Sequence, residues 1–155
     1  LQESARIARG EILDLAHANP NDYAALIIPG GFGVAKNLSN YALQGAAREV
    51  EPDVLKFAIA IKNSNKPIGL ICIAPTLAPA IYGPGVICSI GNDADTSNHI
   101  QQMGGDHKAA AVDEIVVDAK NKLVTTPAYM LATRISQVEN GIAKLVARVI
   151  EFITE

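Results

Sequence analysis

The sequence predicts a layered α/β sandwich, and three observations predict it. Short continuous apolar runs of the kind found in parallel strands buried on both faces recur along the chain. Stretches with helical spacing of apolar residues lie between them. Turn-forming Pro, Gly and Asn punctuate the boundaries, with no repeat, low-complexity tract or linker, so the elements belong to one domain.

In chain order, "YAALIIPGG" (Tyr23 to Gly31) is the first β-rich run, closed by Pro-Gly-Gly. "EPDVLKFAIAIKNSNKP" begins with Glu51 and Pro52 at a helix start and spaces Val54, Leu55, Ala58, Ile59 and Ile61 at helical intervals. "KPIGLICI" is the second strand, which makes a βαβ unit with a right-handed crossover. "APTLAPAIYGPG" reads as a short helix from near Pro75 to Gly83, and "GVICSIG" (Gly85 to Gly91) as the next strand. "TSNHIQQMGG" is expected to be a helix capped by Thr96 or Ser97 and stopped at Gly104 or Gly105. "EIVVDAKNKLVTTP" places two apolar runs about a polar turn at Ala119 to Asn121, a hairpin. The tail from Tyr129 to Phe152 is helical by period, with a kink or break expected at Asn140-Gly141.

Composition narrows the function. The 155 residues, 49% hydrophobic and 19% charged, suffice for a real core, and the chain reads as a soluble globular domain. Thirteen basic against sixteen acidic residues give a net charge of -3, and no basic run is present to hold a phosphate backbone, so nucleic acid is not an expected partner. No apolar stretch reaches the ~20 residues of a spanning helix, and "LQESARIARGEI" lacks a signal-peptide layout. The expected compartment is reducing and cytoplasmic, with no membrane partner and with Cys72 and Cys88, the two cysteines, as free thiols. The chain opens on a polar helical or loop pattern without an initiating Met and is read as a piece of a longer protein.

Cys72 is the first candidate for chemistry. If "PIGLI" is a strand and Pro75 opens a helix, Cys72 occupies a sharp strand-to-helix turn, from which the following N–H groups point at a bound anion or oxyanion. The competing reading is a core cysteine at a strand end. Gly30 and Gly31 in "IIPGGFGVAKNLS" follow a strand end and can present backbone N–H groups with no side chain in the way; the alternative is a plain tight turn, since "GGFG" fits neither the dinucleotide fingerprint nor the P-loop. Both features lie at C-terminal ends of predicted parallel strands, where open α/β sheets place their ligands. Lys36 is a candidate for attracting an anionic substrate, set against an ordinary exposed lysine. Asp93 and Asp95 form a D-x-D pair with no nearby third ligand and read as solvated loop acids, so no metal site is expected. His17, His99 and His107 are scattered, and Cys88, with no helix start after it, reads as packing.

Three of these segments, "IIPGGFGVAKNLSNYA", "KPIGLICIAPTLAP" and "DEIVVDAKNKLVTTPAYM", in this order, resemble the ElbB-like (enhancing lycopene biosynthesis) proteins of the PfpI-like, class I glutamine amidotransferase-like superfamily. The resemblance implies a flavodoxin-like three-layer sandwich with a mostly parallel central sheet, Cys72 as nucleophile on its elbow, Gly31 and Ile73 as the oxyanion-hole positions, and a homodimer. It also implies that residues 1–155 lack an N-terminal strand and helix carrying the glutamate that meets the cysteine. Relatives of the hydrolase type carry a histidine directly after the cysteine; this sequence has Ile73, so a hydrolytic triad is not supported. The function implied is a cofactor-independent, glyoxalase-like conversion of small reactive carbonyls, glyoxal to glycolate, through a hemithioacetal at Cys72, with Gly30 and Lys36 about the substrate. The competing function is a non-catalytic or redox-sensing accessory protein linked to isoprenoid biosynthesis, with Cys72 as the oxidised thiol.

Overall fold

The central sheet runs through the middle of the molecule because two of its strands are buried along their whole length. The computed structural model describes residues 2–155, in which α1 (Gln2–Ala8) and the single-turn α2 (Tyr41–Gln44) precede the helices that pack on the sheet. Four strands pair in the order β1 (Leu26–Ile28), β2 (Ile68–Ile71), β6 (Leu123–Thr126) and β5 (Val116–Asp118). β1, β2 and β6 are mutually parallel, and β5 returns antiparallel to β6. Every residue of β2 and of β6 is buried, as central parallel strands require.

The pleat sorts these residues between two layers of helix. Ile68, Leu70 and Leu123 face a core built with Phe57, Ala58 and Ile61 of α3 (Pro52–Asn63), Ala78 and Ile81 of α4 (Ala78–Tyr82) and Ile100 of α5 (Ala94–Gln102). Ile71 and Val124 face the opposite core, with Val138, Leu145, Val149 and Phe152 of α6 (Ile135–Thr154). The result is the expected three-layer α/β sandwich, with α3 crossing between the parallel pair β1 and β2. Glu51 caps α3 by accepting from the N–H of Val54, with Pro52 in the first turn. The hairpin turns at Ala119–Asn121, where the buried Asp118 carboxylate accepts from the backbone N–H (3.2 Å) and the side-chain amide (2.8 Å) of Asn121.

A second, two-stranded sheet pairs β3 (Ile87–Cys88) with β4 (Asp106–His107), in parallel. Side chains rather than a ladder tie it to the central sheet. Ile87 N–H donates to Asp118 Oδ2 (2.9 Å), and Ser89 N–H donates to Thr125 Oγ1 (2.9 Å). β4 consists of one acid and one imidazole and carries no apolar signature, which is why the sequence pattern does not announce it.

Several expectations need correction. The first strand is three residues rather than the full Tyr23–Gly31 run, because Pro29 has no N–H to continue a ladder and Gly30 and Gly31 turn at φ of 90° and 80°. "GVICSIG" likewise contributes only Ile87–Cys88 to a ladder. The cap of α5 is Asp93, not Thr96 or Ser97: its carboxylate accepts from Thr96 N–H at 2.8 Å. The last helix starts at Ile135, after a separate short turn at Ala128–Met130, and runs unbroken through Asn140-Gly141. Gly141 is there for closeness: a Cβ built on it would lie 2.7 Å from Thr126 Oγ1 and 3.1 Å from the carbonyl oxygen of Val112. Gly69 clears the same helix from the strand side, where a Cβ would lie 2.8 Å from Leu145 Cδ2.

That packing sets a sign that can be measured. Helix propensity alone makes Gly141→Ala stabilising by about 1 kcal/mol. The contact with Thr126 and Val112 reverses this, and we expect a loss of about 1–3 kcal/mol in urea unfolding. A more stable variant would show that α6 has room to move off the sheet.

Candidate active site

Cys72 follows directly on β2, and its backbone is held by the neighbouring strand. Its N–H donates to the carbonyl of Thr126 at 2.9 Å, one residue beyond the Ile71–Thr126 pair of the ladder. The residue then adopts φ of 61°, in the left-handed region that costs a non-glycine residue about 1–3 kcal/mol. Ile73 returns to the right-handed region and opens a short 3₁₀ turn, Ala74–Leu77, in which every residue is buried. Thr76 closes that turn, its hydroxyl donating to the Ile73 carbonyl at 2.7 Å, and the Arg48 guanidinium donates twice to the carbonyl of Thr76, at 2.9 and 2.6 Å. Burial lowers the pKa of Arg48 from its ordinary value.

Gly30 makes the elbow possible. A Cβ on it would lie 2.8 Å from Cys72 Cβ and would strike the carbonyl oxygen of Ile71, so any side chain here pushes the two strand ends apart. Gly31, at φ of 80°, has open space where a Cβ would stand. Together with Cys72, Ile73, Phe32, Ala35, Tyr41, Ala42, Tyr129 and Met130, it lines a cavity of about 520 Å³. Cys72 is partly exposed there. Thus Cys72, Gly31 and Ile73 line one cavity, while Gly30 does not line it and instead leaves the clearance that the turn at Cys72 needs.

Lys36 is not brought into this cavity. It stands on a turn of π-helix, Val34–Leu38, and lines a separate shallow groove with Asn37, Asn40 and Glu49; its ammonium lies 5.1 Å from the centre of the Phe32 ring. Asp93 serves as a helix cap, and its pKa is lowered by its hydrogen bonds to Thr96. His107 accepts from Ile90 N–H through Nε2 (3.3 Å), and burial lowers its pKa. His17 sits on a 3₁₀ turn, Leu15–His17, and its side chain does not line this cavity.

Two groups of wall residues escaped the sequence reading. Tyr41 shares a hydrogen bond of 3.0 Å with His99 Nδ1, the rings meeting edge to face at 5.8 Å, and burial raises the pKa of Tyr41. No local signal links residues 58 apart in sequence. The second group follows Ala128, which takes φ of 46° just past β6 and throws Tyr129 and Met130 onto the cavity wall. Pro127, in "TTPAYM", was the available signal for a turn at that strand end.

Cys88 is the internal contrast. It is 0% exposed, its Sγ lies 3.9 Å from the carbonyl oxygen of Pro75, and burial pushes its pKa up to about 12.

Comparison with known proteins places this geometry. No family model matches the chain. A crystal structure of an isoprenoid biosynthesis protein with an amidotransferase-like domain from Ehrlichia chaffeensis superposes with a TM-score of 0.88 at 32% identity, over 99% of this chain and 70% of that one. The chain belongs to this amidotransferase-like family. The human glutamine amidotransferase-like class 1 domain-containing protein 3, mitochondrial, is 42% identical over 160 residues, covering 97% of this chain and 59% of the relative. The chain thus spans about three fifths of the length of the curated relatives it matches. The glyoxalase III of Candida albicans shares the fold, with a TM-score of 0.51 at 14% identity over 84% of this chain and 61% of that one. Among the described residues no helix is long and apolar enough to cross a membrane.

The two thiols of this family member should separate cleanly on labelling. With limiting iodoacetamide at neutral pH, peptide mapping is expected to find the label on Cys72 alone. Cys88 should stay unlabelled at pH 9 as well, because burial disfavours its thiolate until the core opens. Comparable labelling of Cys88 in the folded protein would contradict its sealed position.

Proposed function

We propose that this protein is a cysteine-dependent, cofactor-independent glyoxalase-like enzyme, an ElbB-like member of the PfpI-related branch of its family. The observation that carries the proposal is the left-handed turn at Cys72, a partly exposed thiol that lines one cavity with Gly31 and Ile73. A core cysteine has no need of a strained backbone, whereas a nucleophile that must leave the sheet edge does.

The reaction balances without an external oxidant. The sulfur of Cys72 adds to one carbonyl carbon of glyoxal, a C–S bond forms, the C=O π bond breaks, and the oxygen takes the thiol proton to give a hemithioacetal. The developing oxyanion is stabilised by the N–H groups of Gly31 and Ile73. The proton on that carbon then moves to the second carbonyl carbon through an enediol, which oxidises the first carbon to a thioester as it reduces the second to an alcohol. Water cleaves the thioester, releasing glycolate and the thiol. A carboxylate from a segment upstream of residues 1–155 is proposed as the carrier of the carbon-bound proton, a contribution worth about 10²- to 10⁴-fold. The setting is a reducing compartment that keeps both thiols free; the mitochondrial location in the human relative's name belongs to that protein. A partly exposed Cys72 also favours a second reading, oxidation sensing, in which the thiol reacts with peroxide and glyoxal is not converted.

Glycolate measured by proton NMR separates the two. Residues 1–155 are expected to bind glyoxal reversibly, seen as protection of Cys72 from iodoacetamide, with little turnover, and a chain that includes the proposed carboxylate-bearing segment is expected to release glycolate. Cys72→Ser should abolish glycolate release, and Cys88→Ala should leave both glycolate release and the protection of Cys72 in place. Glycolate release by Cys72→Ser at the parent rate would remove the cysteine mechanism.

A further inference from the structure

The chain just past β3 is buried, and side chains hold three of its consecutive amides. Ser89 N–H donates to Thr125 Oγ1 at 2.9 Å, Ile90 N–H to His107 Nε2 at 3.3 Å, and Gly91 N–H to Ser89 Oγ at 3.0 Å. A hydroxyl oxygen accepts at any ordinary pH, whereas an imidazole nitrogen accepts only while its lone pair is free. The bond from Ile90 therefore assigns His107 the neutral tautomer with its proton on Nδ1. A proton on Nε2 ends that bond and leaves a buried N–H without an acceptor. The charged ring has another partner, since Ser97 Oγ on α5 lies 3.5 Å from the same nitrogen.

The loop held in this way supports part of the Cys72 cavity. Gly91, at φ of 106°, lies against the segment that follows β6: a Cβ on it would stand 2.8 Å from Leu131 Cδ1 and 3.3 Å from Pro127 Cβ. Between those two residues, Tyr129 and Met130 line the cavity. We propose that His107 is a proton-operated positioning residue: neutral, it fixes the loop at 89–91 against Pro127 and Leu131, and charged, it releases that loop and with it the Tyr129–Met130 part of the lining. Nothing in this coupling depends on the reaction at Cys72 or on what fills the cavity.

The surroundings of the ring favour its neutral form. Burial is the larger influence and lowers the pKa of His107; Asp106, its chain neighbour, opposes this while paired with Lys108 at 2.9 Å. On β3 the register partner of His107 is Cys88, a thiol kept neutral by burial, and the Asp118 carboxylate of β5 accepts from Ile87 N–H. The α5 segment, packed on β4, carries Asp93, Asp95 and His99, with Asp93 bound to Thr96 N–H. With the folded pKa below the unfolded one, the stability contributed by neutral His107 is fully present above the ordinary histidine value of about 6.5 and is lost as pH falls from there through the lowered folded value.

Amide hydrogen exchange on residues 1–155, corrected for its intrinsic pH dependence, tests the coupling. Between about pH 7.5 and about pH 4.5 the parent is expected to lose at least about tenfold in protection at 89–91, and also at Met130, Leu131 and Ala132, whose amides bond to the carbonyls of Pro127 and Ala128. His107→Gln offers a carbonyl oxygen that does not titrate and is expected to keep both sets protected across that range. His107→Leu offers no acceptor and is expected to lack protection at both sets already at about pH 7.5. Where the Leu variant does not fold, the Gln variant and the imidazole ¹⁵N spectrum of the parent decide, the spectrum being expected to show Nδ1 protonated and Nε2 bare at about pH 7.5. An equal acid loss in His107→Gln, a loss confined to 89–91, or a proton on Nε2 at neutral pH overturns the proposal.

Discussion

The hydrogen bond from Cys72 N–H to the Thr126 carbonyl is the constraint on which the site depends. It is the last rung of the β2–β6 ladder, set by a register that pairs Ile68 with Leu123 and Ile71 with Thr126. A slip of one residue would turn Leu70 toward α6 and Ile71 toward α3, so burial on both faces enforces the register. Thr126 is itself fixed, its hydroxyl donating to the Glu114 carbonyl at 2.9 Å. The backbone strain at Cys72, about 1–3 kcal/mol, persists because Ile71, Ala74 and Thr126 around it are buried and held in place.

The same logic operates on the adjacent strand. Two residues past β6 stands another non-glycine residue with positive φ, Ala128; Ile73 leads into the turn latched by Arg48, and Tyr129 and Met130 line the same cavity as Ile73. A crevice opens between them at the C-terminal edge of the parallel strands, the position where α/β sheets gather ligands. Its walls come from three separated segments around residues 31–42, 72–73 and 129–130. The thiol is therefore tied to the sheet register, whereas the exposed rings of Phe32 and Tyr129 belong to neither buried core.

What was legible in the sequence was what neighbours along the chain decide. The β2 run, the Glu51-Pro52 start of α3, the hairpin turn at Ala119–Asn121 and the elbow between "PIGLI" and Pro75 all follow from spacing within a few residues. At α5 two local signals compete, because Asp93 is a loop acid by its D-x-D setting and a helix cap by its place three residues before Thr96, and the cap prevails. The continuity of α6 was not legible, because Gly141 answers to Thr126 and Val112 and not to its own helix. Neither the Tyr41–His99 pair nor the placement of Lys36 outside the cavity has a local cause, so both had to be seen in three dimensions.

The two cysteines show which of these features makes chemistry available. Cys88 ends the parallel strand β3 and Cys72 follows directly on β2, and along the sequence only the helix start at Pro75 tells them apart. After Cys88 the backbone runs on through Ser89, held to Thr125, and the side chain stays under the Pro75 carbonyl where burial disfavours its charged form. At Cys72 the backbone turns left-handed, and the side chain, still packed against the α6 core, is partly exposed and lines the cavity. A strand end is thus insufficient for a reactive thiol. The added requirement is a left-handed turn that the core can hold and a glycine, here Gly30, that leaves room for it.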